Sequence, residues 1–236
     1  MAMVEAGLVE SRQKAQALIL AGKVRVRGET IREASRAVAV TAEVELDEGP
    51  RYVSRGGDKL APALEAFGIV PRGWVCADIG ASTGGFTDVL LQAGADRVYA
   101  VDVGRGLIHE KLRRDPRVVL MERLNARDLA ANSFAEPVRL VTIDVAFIGL
   151  EKVLPAVRAA APAATVVALF KPQFQVGRAD VGKGGVVRDR EVVERAFGGF
   201  AGWCAEHGYR VEARVDAAIA GADGNRELLV HLEPSA

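Results

Sequence analysis

Two kinds of hydrophobic spacing divide the chain. Near the start, Ala15, Leu18 and Ile19 fall on one face of a helix that Ser11 can cap and that Gly22, free to take positive φ, can end. Lys23-Val24-Arg25-Val26-Arg27 then alternates charged and apolar residues, the period of a half-buried strand. Gly28 begins a turn, and Ala37 to Leu46 alternates again. The pattern predicts a compact α+β unit of about fifty residues, too small for a large core. Glycines and Pro50 over residues 48–57 read as a linker, separating a domain at 1–47 from one at 58–236. In the second domain strand-length apolar runs alternate with helical periods, which predicts an α/β fold with a mostly parallel sheet. Strands are expected near 74–79, 97–103, 118–121, 138–144 and 164–170, and helices near 58–67, 85–94, 105–114, 150–160 and 189–207. Two final strands, near 208–216 and 227–233, share a connection without helical period, so the last should run antiparallel.

Composition sharpens this in three ways. The formal net charge is zero, yet Arg12, Lys14, Lys23, Arg25 and Arg27 crowd the first unit, and a local basic face can bind phosphates on a neutral chain. The two cysteines and three histidines show neither a disulfide framework nor metal-ligand spacing. The longest apolar stretch, 155–170, contains Arg158 and two prolines and is short for a membrane span. No secretory signal opens the chain, so a cytoplasmic protein with no membrane role is expected.

Candidate chemistry concentrates where the first strand of the large domain ends. Asp78-Ile79-Gly80 runs into Ala81-Ser82-Thr83-Gly84-Gly85-Phe86-Thr87 and then a helix. Glycines there allow close approach of a ligand to the backbone, and the helix start offers free N–H groups. The next strand ends at Asp102-Val103, where an acid can accept the ribose hydroxyls of an adenosine cofactor. Asn125-Ala126, after the third strand, stands where an adenine edge could be read, although a turn is an equal reading. The loop lacks a strict G-x-G-x-x-G, which disfavours a dinucleotide; spacing alone selects no cofactor.

These segments, with Asn125-Ala126-Arg127, Phe170-Lys171-Pro172-Gln173-Phe174 and Gly182-Lys183-Gly184-Gly185-Val186-Val187, resemble the TlyA family. Its members are named hemolysins but are ribosomal-RNA cytidine 2′-O-methyltransferases related to FtsJ-type enzymes. The stretch from Ser11 to Val26 also resembles the RNA-binding domain of ribosomal small-subunit protein four. The family pattern opens with Arg-Leu-Asp where this chain has Met1-Ala2-Met3-Val4, implying a shortened first helix or an incomplete start. The resemblance implies a Rossmann-like class I methyltransferase fold, S-adenosylmethionine as cofactor and ribosomal RNA or ribosomal subunits as partner. It also implies a Lys-Asp-Lys-Glu tetrad at Lys59, Asp144, Lys171 and Glu227, with Asp144 also near the cofactor. The cofactor set would be Asp78, Gly80, Ser82 to Thr87, Asp102, Val103, Asn125, Ala126 and Asp144.

Such chemistry needs an acceptor hydroxyl held in line with a methyl group and relieved of its proton. Lys171 is the expected central residue, as base or as stabiliser of the developing alkoxide, with Asp144 and Glu227 orienting the lysines. Phe174 could stack on a splayed base or pack in the core. Lys183 and Arg188 could meet phosphates. A dehydrogenase, a membrane-active hemolysin and a non-catalytic RNA-binding protein are the competing readings. No protein partner is evident.

Overall fold

The computed structural model describes residues 2–39, 42–47, 49–177, 180–182, 184–221 and 223–235. The chain divides into two compact units, Met1–Arg51 and Tyr52–Ala236.

In the first unit, α1 (Ala2–Glu5) and α2 (Arg12–Leu20) precede β1 (Val24–Val26), β2 (Glu29–Ile31) and β3 (Val44–Leu46). The Ser11 side chain accepts a hydrogen bond from the Lys14 N–H, as an N-cap should. Gly22 sits at φ +69°, and the N–H groups of Gly22 and Lys23 return to the carbonyls of Ile19 and Leu18, so α2 ends in a Schellman motif. The sheet is antiparallel in the order β2-β1-β3. β2 was not expected. Arg27 and Gly28, at φ +51° and +79°, make the two-residue reversal that a hairpin's twist prefers, and this folds Glu29–Ile31 back onto β1. Of the strand expected over residues 37–46, only Val44–Leu46 forms; 37–39 has no regular structure, and 40–41 lies outside the described residues. Met3, Val24 and Ile31 form the small core, while Ala15, Leu18 and Ile19 stay half-buried.

The second unit is an α/β layer structure. Its elements are α3 (Gly56–Ala66), β4 (Val75–Ile79), α4 (Gly85–Gln92), β5 (Arg97–Asp102), α5 (Glu110–Arg113), β6 (Val118–Glu122), β7 (Leu140–Ile143), α6 (Leu154–Ala160), β8 (Thr165–Phe170), α7 (Arg190–Glu206), β9 (Tyr209–Asp216) and β10 (Leu228–Pro234). The seven strands lie in the order β6-β5-β4-β7-β8-β10-β9. β4 to β8 pair in parallel, and β10 runs antiparallel between β8 and β9. The central strands are apolar along their length because both faces are covered. One face buries Phe170, Leu154 and Phe200 with α6 and α7; the other buries Leu60, Leu90 and Leu112 with α3, α4 and α5.

Three helices differ from expectation. The helix expected at 105–114 shrinks to α5. The Asp102 and Glu122 carboxylates take the N–H groups of Gly104 and Gly106, Gly106 sits at φ +69°, and the His109 ring caps Lys111. The helix expected at 150–160 begins as a 3-10 turn over Leu150–Lys152, and α6 starts at Leu154 with Pro155, which has no N–H, in its first turn. α3 begins at Gly56, inside the stretch read as linker. Gly57 is packed beneath Tyr52, whose ring would lie 2.3–2.6 Å from a Cβ at that position.

Candidate active site

β4 delivers the chain into a tight loop. Gly80 and Gly84 take φ +85° and +96°, and Ser82 between them takes φ +49°. A Cβ on Gly80 would meet the Asp144 carbonyl oxygen at 2.3 Å, and one on Gly85 would meet the Ser54 hydroxyl at 2.4 Å. The loop is thus wedged between the end of β7 and the start of α3, which only glycine permits.

Asp78 supports this loop from below. Its carboxylate is wholly buried, accepting from the Thr87 N–H at 2.9 Å, the Thr87 hydroxyl at 2.7 Å and the Thr142 hydroxyl at 3.3 Å. Burial pushes the carboxyl up to about 7; the Thr87 hydrogen bond opposes this, and the charge of Asp144 adds to it. Asp78 and Thr87 were expected to touch a cofactor. Both are enclosed, because they hold the first turn of α4 onto β4.

At the end of β5 the Asp102 carboxylate accepts from the Ser82 N–H at 2.8 Å and the Gly104 N–H at 2.7 Å. These bonds fix its orientation, and lone pairs remain for hydroxyl donors. Val103 beside it is exposed. The Asn125 side chain caps the 3-10 turn Ala126–Asp128 by accepting from the Arg127 N–H, so the turn reading of Asn125 applies to its carbonyl oxygen.

A cleft of about 230 Å³ opens beside the loop. Lys59, Gly80, Ser82, Thr83, Gly85, Phe86 and Asp144, all singled out from the sequence, line it, and so do Ser54, Arg55 and Ala220, which no sequence pattern indicated. The four tetrad residues come together at this edge of the sheet as two ion pairs. Lys59, in the first turns of α3, reaches Glu227 at 2.6 Å, and Lys171, just past β8, reaches Asp144, just past β7, at 2.6 Å. The glutamate is 4% exposed and its lysine 12%. Glu227 is backed by Gly221, where a Cβ would lie 2.5 Å from the carboxylate. Buried Asn225 ties the same turn to the 185–187 loop, accepting from the Val187 N–H and donating to the Gly185 carbonyl, both at 2.9 Å.

One further residue was missed. Phe147, just beyond Asp144, is 92% exposed and sits at φ +64°, a strained conformation for a bulky side chain. Its ring lies 5.4 Å from that of Phe174, which in turn lies 6.0 Å from the Lys171 ammonium. The half-buried Phe174 ring therefore lies between Phe147 and the lysine.

In the first unit, Arg12, Lys14, Arg25 and Arg27 are exposed and Lys23 is half-buried. Arg25 lies 3.8 Å from Asp47; the other four have no described carboxylate within 4.0 Å. Lys183 lies outside the described residues, and Arg188 is exposed. Among the described residues no helix is long and apolar enough to cross a membrane.

The family model described as FtsJ-like methyltransferase matches residues 52–233, and the S4 domain model matches residues 1–44. The chain is 45% identical, over 98% of its length and 87% of the relative's, to the 16S/23S rRNA (cytidine-2′-O)-methyltransferase TlyA of Mycobacterium tuberculosis. It is 41% identical to Hemolysin A of Brachyspira hyodysenteriae, over 95% of each chain. Among solved structures, a hemolysin-named protein from Streptococcus thermophilus superposes with a TM-score of 0.77 at 40% identity, covering 99% of this chain and 86% of that one.

Proposed function

The chain belongs to the FtsJ-like methyltransferase family, and from that premise we propose that it is a cytoplasmic enzyme that methylates the 2′-hydroxyl of cytidine in ribosomal RNA, using S-adenosylmethionine. The observation that carries this reading is the pair of ion pairs, Lys59–Glu227 and Lys171–Asp144, beside a glycine loop whose far side ends in Asp102. A membrane-active protein has no use for that arrangement. In this reading residues 1–47 dock RNA through Arg12, Lys14, Lys23, Arg25 and Arg27, residues 48–51 link, and the unit from Tyr52 onward carries out the transfer.

The residues present fit the cofactor. The loop gives backbone access without a phosphate cradle, Asp102 offers a fixed carboxylate to ribose hydroxyls, and Asp144 places negative charge in the cleft, as a sulfonium requires. When bound, S-adenosylmethionine supplies an electrophilic methyl group whose bonding pair stays with sulfur as the acceptor oxygen attacks.

The chain's own groups manage the acceptor. Phe147 and Phe174 offer ring faces on which the target base can stack, a common way of holding a splayed nucleotide. Lys59, steadied by Glu227, donates to the ribose and sets its angle. Lys171 receives the 2′-hydroxyl proton on Nζ while one Nζ proton moves to Asp144 across their 2.6 Å contact. The net proton therefore rests on Asp144, and the ammonium stays beside the developing alkoxide.

The test is incubation with methyl-labelled S-adenosylmethionine and undermodified bacterial ribosomal subunits, followed by digestion to nucleosides. Label is expected in 2′-O-methylcytidine. Lys171→Ala should lower transfer by about 10²–10⁴-fold, the usual scale of positioned acid–base catalysis, with cofactor affinity unchanged. Label on a base, or undiminished transfer by Lys171→Ala, would defeat the reading.

A further inference from the structure

A second concave site lies on the α7 side of the sheet, at the same edge as the tetrad. It measures about 200 Å³ and is lined by Arg188, Arg190, Arg214 and Arg226 together with Glu194 and Asp216. We propose that this arginine cleft holds a phosphodiester of the bound RNA strand a few nucleotides from the methylated ribose, and so sets the register of the strand over the tetrad. The inference rests on the RNA methyltransferase reading above.

The charges do not balance within the cleft. Asp216 accepts a bidentate pair of bonds from Arg226, at 2.7 and 2.5 Å, and Glu194 pairs with Arg214 at 2.7 Å. Both carboxylates are thus engaged, and Arg188 and Arg190 are left with no described carboxylate within 4.0 Å. Asp189, between them, is occupied in capping the Glu191 N–H. The arginines are felt at Asp216, whose carboxyl is held below the usual range first by the Arg226 hydrogen bond and, against the opposing effect of burial, also by the charges of Arg226, Arg190 and Arg214. An anion entering here meets two guanidiniums that no described carboxylate pairs within 4.0 Å and two more already fixed in orientation. Exposed ion pairs contribute little to stability, so Arg226 and Arg214 can turn part of their donor forks toward a phosphate at small cost.

Charge and place select the ligand. Leu228 pairs in register with Phe170 of β8 on one side and Asp216 of β9 on the other. Two strand spacings therefore put Asp216 about 10 Å from the residue preceding Lys171. Stacked nucleotides rise about 3.4 Å each along one strand, so this span is about three stacked nucleotides, and fewer once the target is splayed. Arg226 and Glu227 are neighbours in sequence and serve opposite faces of the sheet, the arginine bonding Asp216 and the glutamate reaching Lys59 on α3. Asn225, tied to Val187, holds the Arg188 loop against the same turn. Strand register and chemistry are thus linked through three consecutive residues.

The test compares wild type, Arg188→Ala/Arg190→Ala and Arg188→Lys/Arg190→Lys as full chains on undermodified ribosomal RNA. Affinity is titrated over a range of salt concentrations, and transfer is measured in parallel. For a single strand each lost phosphate contact should flatten the slope of log K against log[salt] by about 0.7, so the alanine pair, which gives up the one phosphodiester, should lose about 0.7 and raise KM for RNA about tenfold. Cofactor affinity should not change, and the lysine pair should keep the wild-type slope. An unchanged slope in the alanine pair overturns the proposal, as does a lysine pair that falls equally far, since charge would then not be the cause. A wild type that neither binds nor methylates the RNA removes the underlying reading and this proposal with it.

Discussion

Replacing Asp78 by asparagine should remove a pH dependence that the methyltransferase unit carries in its core. The carboxyl is wholly buried and pushed up to about 7, mainly by loss of hydration, from an ordinary value of 3.8. Below about pH 4 both folded and unfolded chains hold this proton, and the group is neutral to stability. As pH rises from about 4 to 7 the unfolded chain releases it while the folded chain keeps it, so the native state binds more protons and stability falls. Above about pH 7 the loss is complete: about three pH units at about 1.36 kcal/mol each, or about 4 kcal/mol. Between pH 5 and pH 8 the share is about 2–3 kcal/mol. The substituted amide would still accept from Thr87 and would never charge. Urea unfolding of wild type and Asp78→Asn, followed by tryptophan fluorescence, isolates the effect, because Trp74 and Trp203 both lie in the Tyr52–Ala236 unit. The variant should gain on wild type by about 2–3 kcal/mol from pH 5 to pH 8, all other titrating groups being shared. A difference that stays constant across that range would refute the assignment of a buried, largely neutral Asp78.

Two further outcomes follow from the site's geometry. Glu227→Leu strands the Lys59 ammonium in a nearly closed site and should cost about 3–5 kcal/mol in chemical denaturation, whereas Lys59→Met/Glu227→Leu should recover most of that loss; equal losses in the two would mean the pair is not coupled. Phe147→Asn places a residue that tolerates positive φ where a strained phenylalanine now sits, and should stabilise by about 1 kcal/mol while raising KM for RNA. A lower melting temperature in Phe147→Asn would show that the conformation carries no strain.

How much of this was legible depended on range. Asp144 and Lys171 could be placed at the ends of two strands because the apolar runs before them are long and unambiguous, and parallel strands bring such ends to one edge. The antiparallel last strand put Glu227 at that edge too, but which residue pairs with which within the tetrad could not be read. Lys59 and Glu227 meet across 168 residues, and only the family resemblance put Lys59 in the site. Asp78 was assigned to the ligand because it adjoins the glycine loop, but strand alternation turned its side chain inward to Thr87 and Thr142. Ser54, Arg55 and Ala220 reach the cleft from irregular segments, where no periodicity marks a residue. β2 was invisible because three residues are too few for a pattern, and Arg27-Gly28 lacks the asparagine that usually betrays such a turn.

The position of β10 has a consequence for the order of synthesis. It is the last strand in sequence among the described residues, yet it lies inside the sheet, and among those residues β9 pairs with the sheet through β10 alone. A nascent chain that has emerged as far as β9 can assemble β4 to β8, with β8 left as an open edge and β9 without a neighbour. Closure waits for residues 228–234 to slide between them, and Glu227 arrives in the same movement. A chain released early would thus carry Lys59 without its counter-charge and a bare sheet edge open to association. The last strand is therefore both the seam of the fold and the step that arms the enzyme.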